Sequence, residues 1–277
     1  MLLSRTRAQA RFVVLPPSKT TVPNVFRNVQ SDARRYDELL ASMQRFRGSI
    51  YRADGAIESS SLTYDGRHKT PIDEESWHVL SLDSEGRMIS CLRYLDESFA
   101  SGFHRLWVKH AAVSECPVLG GKFRSAVEEN MKRAKRHGMR FGEVGGWAVS
   151  EDHRWTMEPL RIILATYGLL ELLGGCTGVA TATFRHSSAA ILRRIGLSSI
   201  AAAGEEIPPY YDANYRCEME VLQFDSRRPA EKYRDSIEEL ASKLITAPVV
   251  CRETRSIPMA EVLGCFDVPA MVPAAVG

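Results

Sequence analysis

The sequence predicts an α/β protein with α+β character, a mixed central sheet flanked by helices. Two observations carry that reading. The first half holds a hairpin pattern, 77–82 and 88–95, two β-like runs joined by Asp83-Ser84-Glu85-Gly86. From residue 121 onward, helical stretches alternate with short apolar strand runs, the arrangement that packs helices against a sheet. A third feature is local. Gly145 and Gly146 sit side by side in the otherwise apolar run 140–149, and adjacent glycines inside a strand point to a bulge or a close backbone approach.

In chain order, residues 32–47 place Tyr36, Leu39, Leu40, Met43 and Phe46 at helical spacing, with Ser31 or Asp32 as cap. The polar stretch from Tyr64 to Pro71 reads as loop. In the second hairpin strand Ile89, Cys91, Arg93 and Leu95 share one face. An arginine in that company needs an anion to meet or a cavity to line. Helix 121–137 carries Lys122, Arg124, Lys132, Arg133, Lys135 and Arg136 on its exposed side and stops at Gly138. After strand 140–149, Thr156 caps a strongly apolar helix that tolerates Pro159 in its first turn and ends at Gly174-Gly175. Strand 178–183, helix 186–195, a strand opening at Gly196-Leu197, strand 215–224 and helix 230–244 complete the pattern. Residues 1–27 read as a loosely held arm, 28–247 as the folded domain, and 248–277 as an irregular tail rich in Ala, Val and Pro.

The composition narrows the function. The 277 residues carry a net charge of only +2, which argues against a dedicated nucleic-acid binder. The six cysteines are scattered without a C-x-x-C pair, so neither a metal spacing nor a disulfide framework is expected, and reduced thiols in a cytoplasmic protein are. No apolar run is long enough to span a bilayer, and the apolar stretch 12–15 is too short for a secretory signal.

The segment 185–197, Arg185-HSSAAILRR-Ile195-Gly196-Leu197, resembles the last conserved block of the GNAT acyltransferases, Asn-x-x-Ala-x-x-x-Tyr-x-x-x-Gly-Phe. Arg185 stands at the Asn, Ser188 at the Ala and Leu192 at the Tyr, so the tyrosine that often protonates the departing thiolate is absent. The run Gly142-Glu143-Val144-Gly145-Gly146-Trp147-Ala148-Val149 is similar to the central GNAT strand, which is bulged and splayed from its neighbour so that a pantetheine arm slots between them. Asp73-x-x-Ser76-x-His78-x-Leu80, Asp83-x-Glu85-Gly86-Arg87, Arg93-Tyr94-Leu95 and Glu143 resemble the branch containing acyl-homoserine-lactone synthases, N-acyl amino acid synthases and exosortase-associated acyltransferases. The likeness spans roughly residues 32–225. It implies a GNAT-like sheet with a splayed strand pair.

The departures steer the choice within that branch. Lactone synthases precede the hairpin with Glu-x-Asp-x-x-Asp; here Asp73 can stand for the last acid, but His68 and Thr70 hold the first two places. Their central strand reads Glu-x-x-Arg, where Gly146 follows Glu143. Groups expected to position S-adenosylmethionine are thus missing from both motifs, which favours acylation of an amino acid. The pyrophosphate loop of acetyl-CoA-using relatives is replaced by Glu151-Asp152-His153-Arg154-Trp155-Thr156, without glycine and with two acids. The resemblance therefore implies acyl transfer from an acyl carrier protein or CoA thioester, with no permanently bound cofactor and no metal. Arg154, Trp155 and Thr156 are the candidates for the donor phosphate. The basic face of helix 121–137 suits an acidic carrier protein, and equally suits a solvated face paired with Glu128 and Glu129.

The expected chemistry is direct attack by an amine on the thioester carbonyl. Glu143 is the candidate base, or else a structural carboxylate paired to Arg93. Arg93 is the candidate clamp for an acceptor carboxylate. His78 is a candidate catalytic group that shares an apolar face with Leu80 and Leu82, where histidine is more often a satisfied core residue. Asp73 and Ser76 either touch substrate or cap the turn before the strand. Backbone groups of Gly145, Gly146 and Ala148 would face the carbonyl, and Trp147 would line the acyl slot. Lactone synthesis, and an acyl-binding module without turnover, stand as the competing expectations.

Overall fold

A computed structural model describes residues 10–97 and 102–253. Its strands are β1 Arg11–Leu15, β2 Val29–Ser31, β3 Trp77–Leu82, β4 Met88–Glu97, β5 Arg140–Val149, β6 Cys176–Thr183, β7 Ser198–Ser199, β8 Ala201–Ala202, β9 Glu205–Glu206, β10 Tyr210–Asp212, β11 Cys217–Asp225 and β12 Val249–Cys251. The helices are α1 Ala33–Ala53, α2 Ala112–Glu115, α3 Gly120–Arg136, α4 Glu158–Leu172, α5 Ser188–Ile195 and α6 Arg234–Thr246. Asp32 caps α1 by accepting from the Arg35 N–H at 2.9 Å.

The main sheet runs β10-β11-β6-β5-β4-β3-β1-β12-β2, with β7 also paired to β11. Pairing is parallel for β5 with β6, β1 with β12 and β12 with β2, and antiparallel elsewhere, so the expected mixed sheet is present. The hairpin β3–β4 closes where Asp83 accepts from the Gly86 N–H at 3.1 Å and its own N–H reaches Arg87. One face of the sheet packs on α4, α5 and α6 through Leu92, Val144, Ala180 and Leu222. The other packs on α1 through Val13, Leu80 and Cys91, and on α3 through Phe141, Val179 and Val221.

Two boundary expectations are corrected. Residues 11–15 are no loose arm: β1 lies inside the sheet between β3 and β12, with Phe12, Val13, Val14 and Leu15 all buried. Four consecutive apolar side chains are what a strand covered on both faces requires, Phe12 and Val14 serving one core and Val13 and Leu15 the other. Residues 249–251, expected in the irregular tail, form β12, and the Val14 N–H donates to the Pro248 carbonyl at 2.9 Å. Three apolar residues after a proline are too short a run to register as a strand by pattern alone. Cys91, Cys116, Cys176, Cys217 and Cys251 are free thiols; Cys265 and the rest of the tail beyond 253 lie outside the described residues. Among the described residues no helix is long and apolar enough to cross a membrane.

Candidate active site

The site starts with a failure of pairing. β5 and β6 are in register from Arg140 with Cys176 to Val144 with Ala180, and then part, although β5 continues to Val149 and β6 to Thr183. On its other edge β5 is bulged. Cys91 faces Ala148 and Arg93 faces Gly145, so Gly146 and Trp147 oppose the single residue Leu92. Gly146 takes a φ of +61° there, a conformation with little cost only for glycine. A Cβ at that position would also stand 3.2 Å from Arg93 Cβ and 3.3 Å from Arg47 Nη1.

A cavity of about 510 Å³ fills the gap. Gly145, Gly146, Trp147 and Ala148 line one side, Thr181 and Thr183 the other. Ile50, Ile191 and Met219 supply apolar wall, and Glu143 and Arg93 line it too. The volume is that of an ordinary small-ligand pocket.

Polar groups at the α1 side form one buried network. Arg47 makes a two-pronged pair with Asp73, Nη1 to Oδ1 at 2.9 Å and Nη2 to Oδ2 at 2.8 Å. Asp73 also accepts from the Thr70 N–H at 3.0 Å, the Thr70 hydroxyl at 2.7 Å and the Gln44 amide at 3.0 Å. Burial acts to raise the Asp73 carboxyl, but Arg47 and these donors outweigh it and hold it well below the usual carboxylate range.

Arg93 is bound much more loosely. Its side chain is 3% exposed, yet among the described residues its one hydrogen bond is Nη1 to Thr70 Oγ1 at 3.3 Å. The carboxylates of Asp73 and Glu143 stand 3.8 and 3.9 Å away, and its Nε is buried with no hydrogen-bond partner among the described residues. Burial lowers its pKa, with Glu143 pulling the other way. Glu143 accepts from the Val108 N–H at 2.9 Å. Burial raises its carboxyl above the ordinary range, against the pull of Arg93 and the backbone N–H groups of Val108 and Trp107.

The expected site residues divide into two groups. Glu143, Arg93, Gly145, Gly146, Trp147, Ala148, Arg154, Trp155 and Thr156 all line the cavity. His78, Asp73 and Ser76 do not. His78 is 1% exposed, its Nε2 lies 2.8 Å from the Asp73 carbonyl, and burial lowers its pKa to about 4. It is a satisfied core histidine. Ser76 donates to the Ile72 carbonyl at 2.6 Å and closes the turn before β3. Asp73 is occupied by Arg47, Gln44 and Thr70. At the donor end, Arg154 is paired to Asp54 at 2.8 Å. Thr156 is not the cap expected of it: α4 starts one residue later, with Met157 at the cap position and no side-chain cap bond, and the Thr156 hydroxyl accepts from the Glu158 N–H at 3.1 Å from just outside the helix. Trp155 is 96% exposed at the rim. On α3, Lys122 pairs with Glu205 and Arg124 with Glu128, so part of the basic face is neutralised within the chain.

Arg47, His68, Thr70, Tyr51 and Tyr215 line the cavity and were not singled out as site residues from sequence. Arg47 carried a readable signal. It continues the buried stripe Tyr36, Leu40 and Met43 of α1, where a charged side chain is as anomalous as Arg93 is on β4. The aromatic residues carried none, since nothing in their spacing separates a cavity wall from core.

No family model matches the chain, and no curated protein matches it in sequence. Solved structures do. BjaI, a CoA-dependent acyl-homoserine lactone synthase with S-adenosylmethionine and isopentyl-CoA, superposes with a TM-score of 0.52 at 14% identity, covering 92% of this chain and 99% of that one. The protein has the fold of the acyl-homoserine lactone synthases. MesI, also described as a CoA-dependent acyl-homoserine lactone synthase, gives a TM-score of 0.50 at 11% identity over 88% of this chain and 100% of that one. FeeM, an N-acyl amino acid synthase from uncultured soil microbes, gives 0.46 at 11% identity over 79% and 93%.

Proposed function

We propose that the protein is an N-acyltransferase that moves a medium- or long-chain acyl group from a pantetheine thioester, on an acyl carrier protein or CoA, to the amine of an amino acid. The observation that supports this most directly is the gap between β5 and β6, which opens onto a buried carboxylate and a loosely bound guanidinium. In this reading the thioester arm lies in the gap, and the bulge at Gly145–Ala148 turns backbone groups of β5 toward the carbonyl. The amine attacks the carbonyl carbon, a C–N bond forms and the C–S bond breaks. The proton leaving nitrogen goes to Glu143, directly or through water, and the sulfur departs as a thiolate that takes up that proton by way of water to become the thiol. Arg93, with donors to spare, holds the acceptor carboxylate by its planar fork.

Amino acid is favoured over S-adenosylmethionine by the cavity wall. His68, Thr70 and Gly146 stand where the resemblance to lactone synthases calls for two acids and an arginine, and all three line the cavity. Asp73 is already committed to Arg47. A sulfonium cation gains little in such surroundings. The test is thiol release with carrier-bound and CoA-bound acyl donors, against a panel of amino acids and against S-adenosylmethionine. Release that depends on an amino acid is expected. Release only with S-adenosylmethionine would make it a lactone synthase. Copurified lipid with no thiol release from any donor would make it an acyl-binding module.

A further inference from the structure

A second concavity lies at the other end of β6. The first cavity is lined by Thr181 and Thr183, the second by Thr177. Thr183 is six residue steps of extended chain from Thr177, about 20 Å. This groove, about 520 Å³, is lined by the C-terminal turn of α3, the start of β6 and the end of β11. Its walls carry Arg133, His137, Arg227 and Arg228 against one carboxylate, Asp225.

The arginines are not used up by one another's partners. Arg133 donates to the neutral acceptors Asn130 Oδ1 and Gln223 Oε1. Arg227 donates to the Gly174 carbonyl at 3.0 Å. Arg228 only approaches Asp225 at 3.7 Å, with its side chain 86% exposed. A concave surface thus holds three guanidinium charges and one carboxylate. In the floor the Thr177 hydroxyl is buried with no hydrogen-bond partner among the described residues, in a wall that also holds the apolar Phe224 and Met139. A buried hydroxyl with no partner costs free energy unless something binds it. Several guanidinium forks lining one concavity are the donor set that phosphate oxygens satisfy.

We propose that this groove is a binding site for a small phosphate-bearing ligand, separate from the acyl-transfer cavity and independent of the function proposed for it. The experiment is calorimetric titration of the full chain in low salt with pyrophosphate and, separately, with ATP. Saturable binding at one site is expected for at least one probe. Arg133→Gln combined with Arg227→Gln should weaken it by about tenfold or more, and Thr177→Val by a smaller factor, with thiol release by either variant unchanged. Tighter binding of ATP than of pyrophosphate assigns the apolar floor to the base; equal binding assigns the site to the phosphates alone. Absence of saturable binding for both probes up to about 5 mM, or an affinity unmoved in the double variant, overturns the proposal. If the double variant does not fold, the isosteric Thr177→Val carries the test alone.

Discussion

Arg93 Nη2 stops 3.9 Å short of Glu143 Oε1, although both side chains are almost wholly buried. A buried pair that existed only for structure would be expected to close to hydrogen-bond distance, as Arg47 and Asp73 do at 2.8 Å. The open spacing leaves guanidinium donors facing the cavity. If they hold an acceptor carboxylate, Arg93→Lys should raise the KM for the amino acid by about 10- to 100-fold while changing kcat much less, because a bidentate charged contact is lost from ground state and transition state alike. Steady-state kinetics with the acceptor varied checks this. An unchanged KM would remove Arg93 from the acceptor site.

Glu143 makes a different prediction. Its carboxyl is raised by burial, and a base works only when deprotonated. Activity should therefore fall as pH drops, through a point above the ordinary carboxylate range. Glu143→Gln should lower kcat by about 100-fold and abolish that acidic limb, leaving the KM of the acceptor near the parent value. A pH–rate profile of both proteins decides it. A limb that survives in the variant belongs to another group.

The bulge was the most legible part of the site. Two adjacent glycines in an apolar strand announced it, and a guanidinium at Arg93 on an apolar face announced the cavity beside it. Both signals are violations of local pattern, which is why they survive without coordinates. The strands β1 and β12 were hidden for the opposite reason. They are short runs at the two ends of the chain that become strands only because each pairs with the other and with β3 or β2. The commitment of Asp73 to Arg47 was equally hidden, since 26 residues separate them and no spacing rule links a helix to a turn after a loop.

That ion pair predicts a large stability effect with a specific signature. Asp73→Asn leaves the Arg47 guanidinium, 1% exposed, without its counter-charge and should cost about 3–5 kcal/mol. Arg47→Met in the same background should cost less than the two single changes added together, because the second change removes the orphaned charge. Urea midpoints of the four proteins give the coupling. Simple additivity would mean that the pair does not act as a unit.

Gly146→Ala tests the bulge directly. The residue would be forced to hold φ +61° with its Cβ 3.2 Å from Arg93 and 3.3 Å from Arg47. Strain of about 1–2 kcal/mol is expected from the backbone alone. Because both crowded neighbours belong to the cavity, turnover should fall further than the stability loss accounts for. Thermal denaturation and thiol release measured on the same preparation separate the two effects; full activity at reduced stability would show that the bulge need not be held so closely.

The pH dependence of stability should carry the mark of His78. Burial lowers its folded-state pKa to about 4 from an ordinary value of 6.5, so between those limits the unfolded chain binds a proton that the folded chain refuses. The stabilisation from keeping His78 neutral is fully present above pH 6.5 and is lost as pH falls toward 4, at about 1.4 kcal/mol per pH unit. Asp73, held below the usual carboxylate range, adds its own loss only at lower pH, once the unfolded carboxylate begins to protonate. Burial lowers the pKa of His68 to about 4 as well, so that residue carries a slope of the same sign and size. His78→Gln should therefore roughly halve the fall of the urea midpoint between pH 6 and 5, while leaving the more acidic decline intact. A parent protein whose midpoint does not move across that interval would mean that the histidine takes up its proton in the folded state at an ordinary pH, and that the core around the Asp73 carbonyl is not closed.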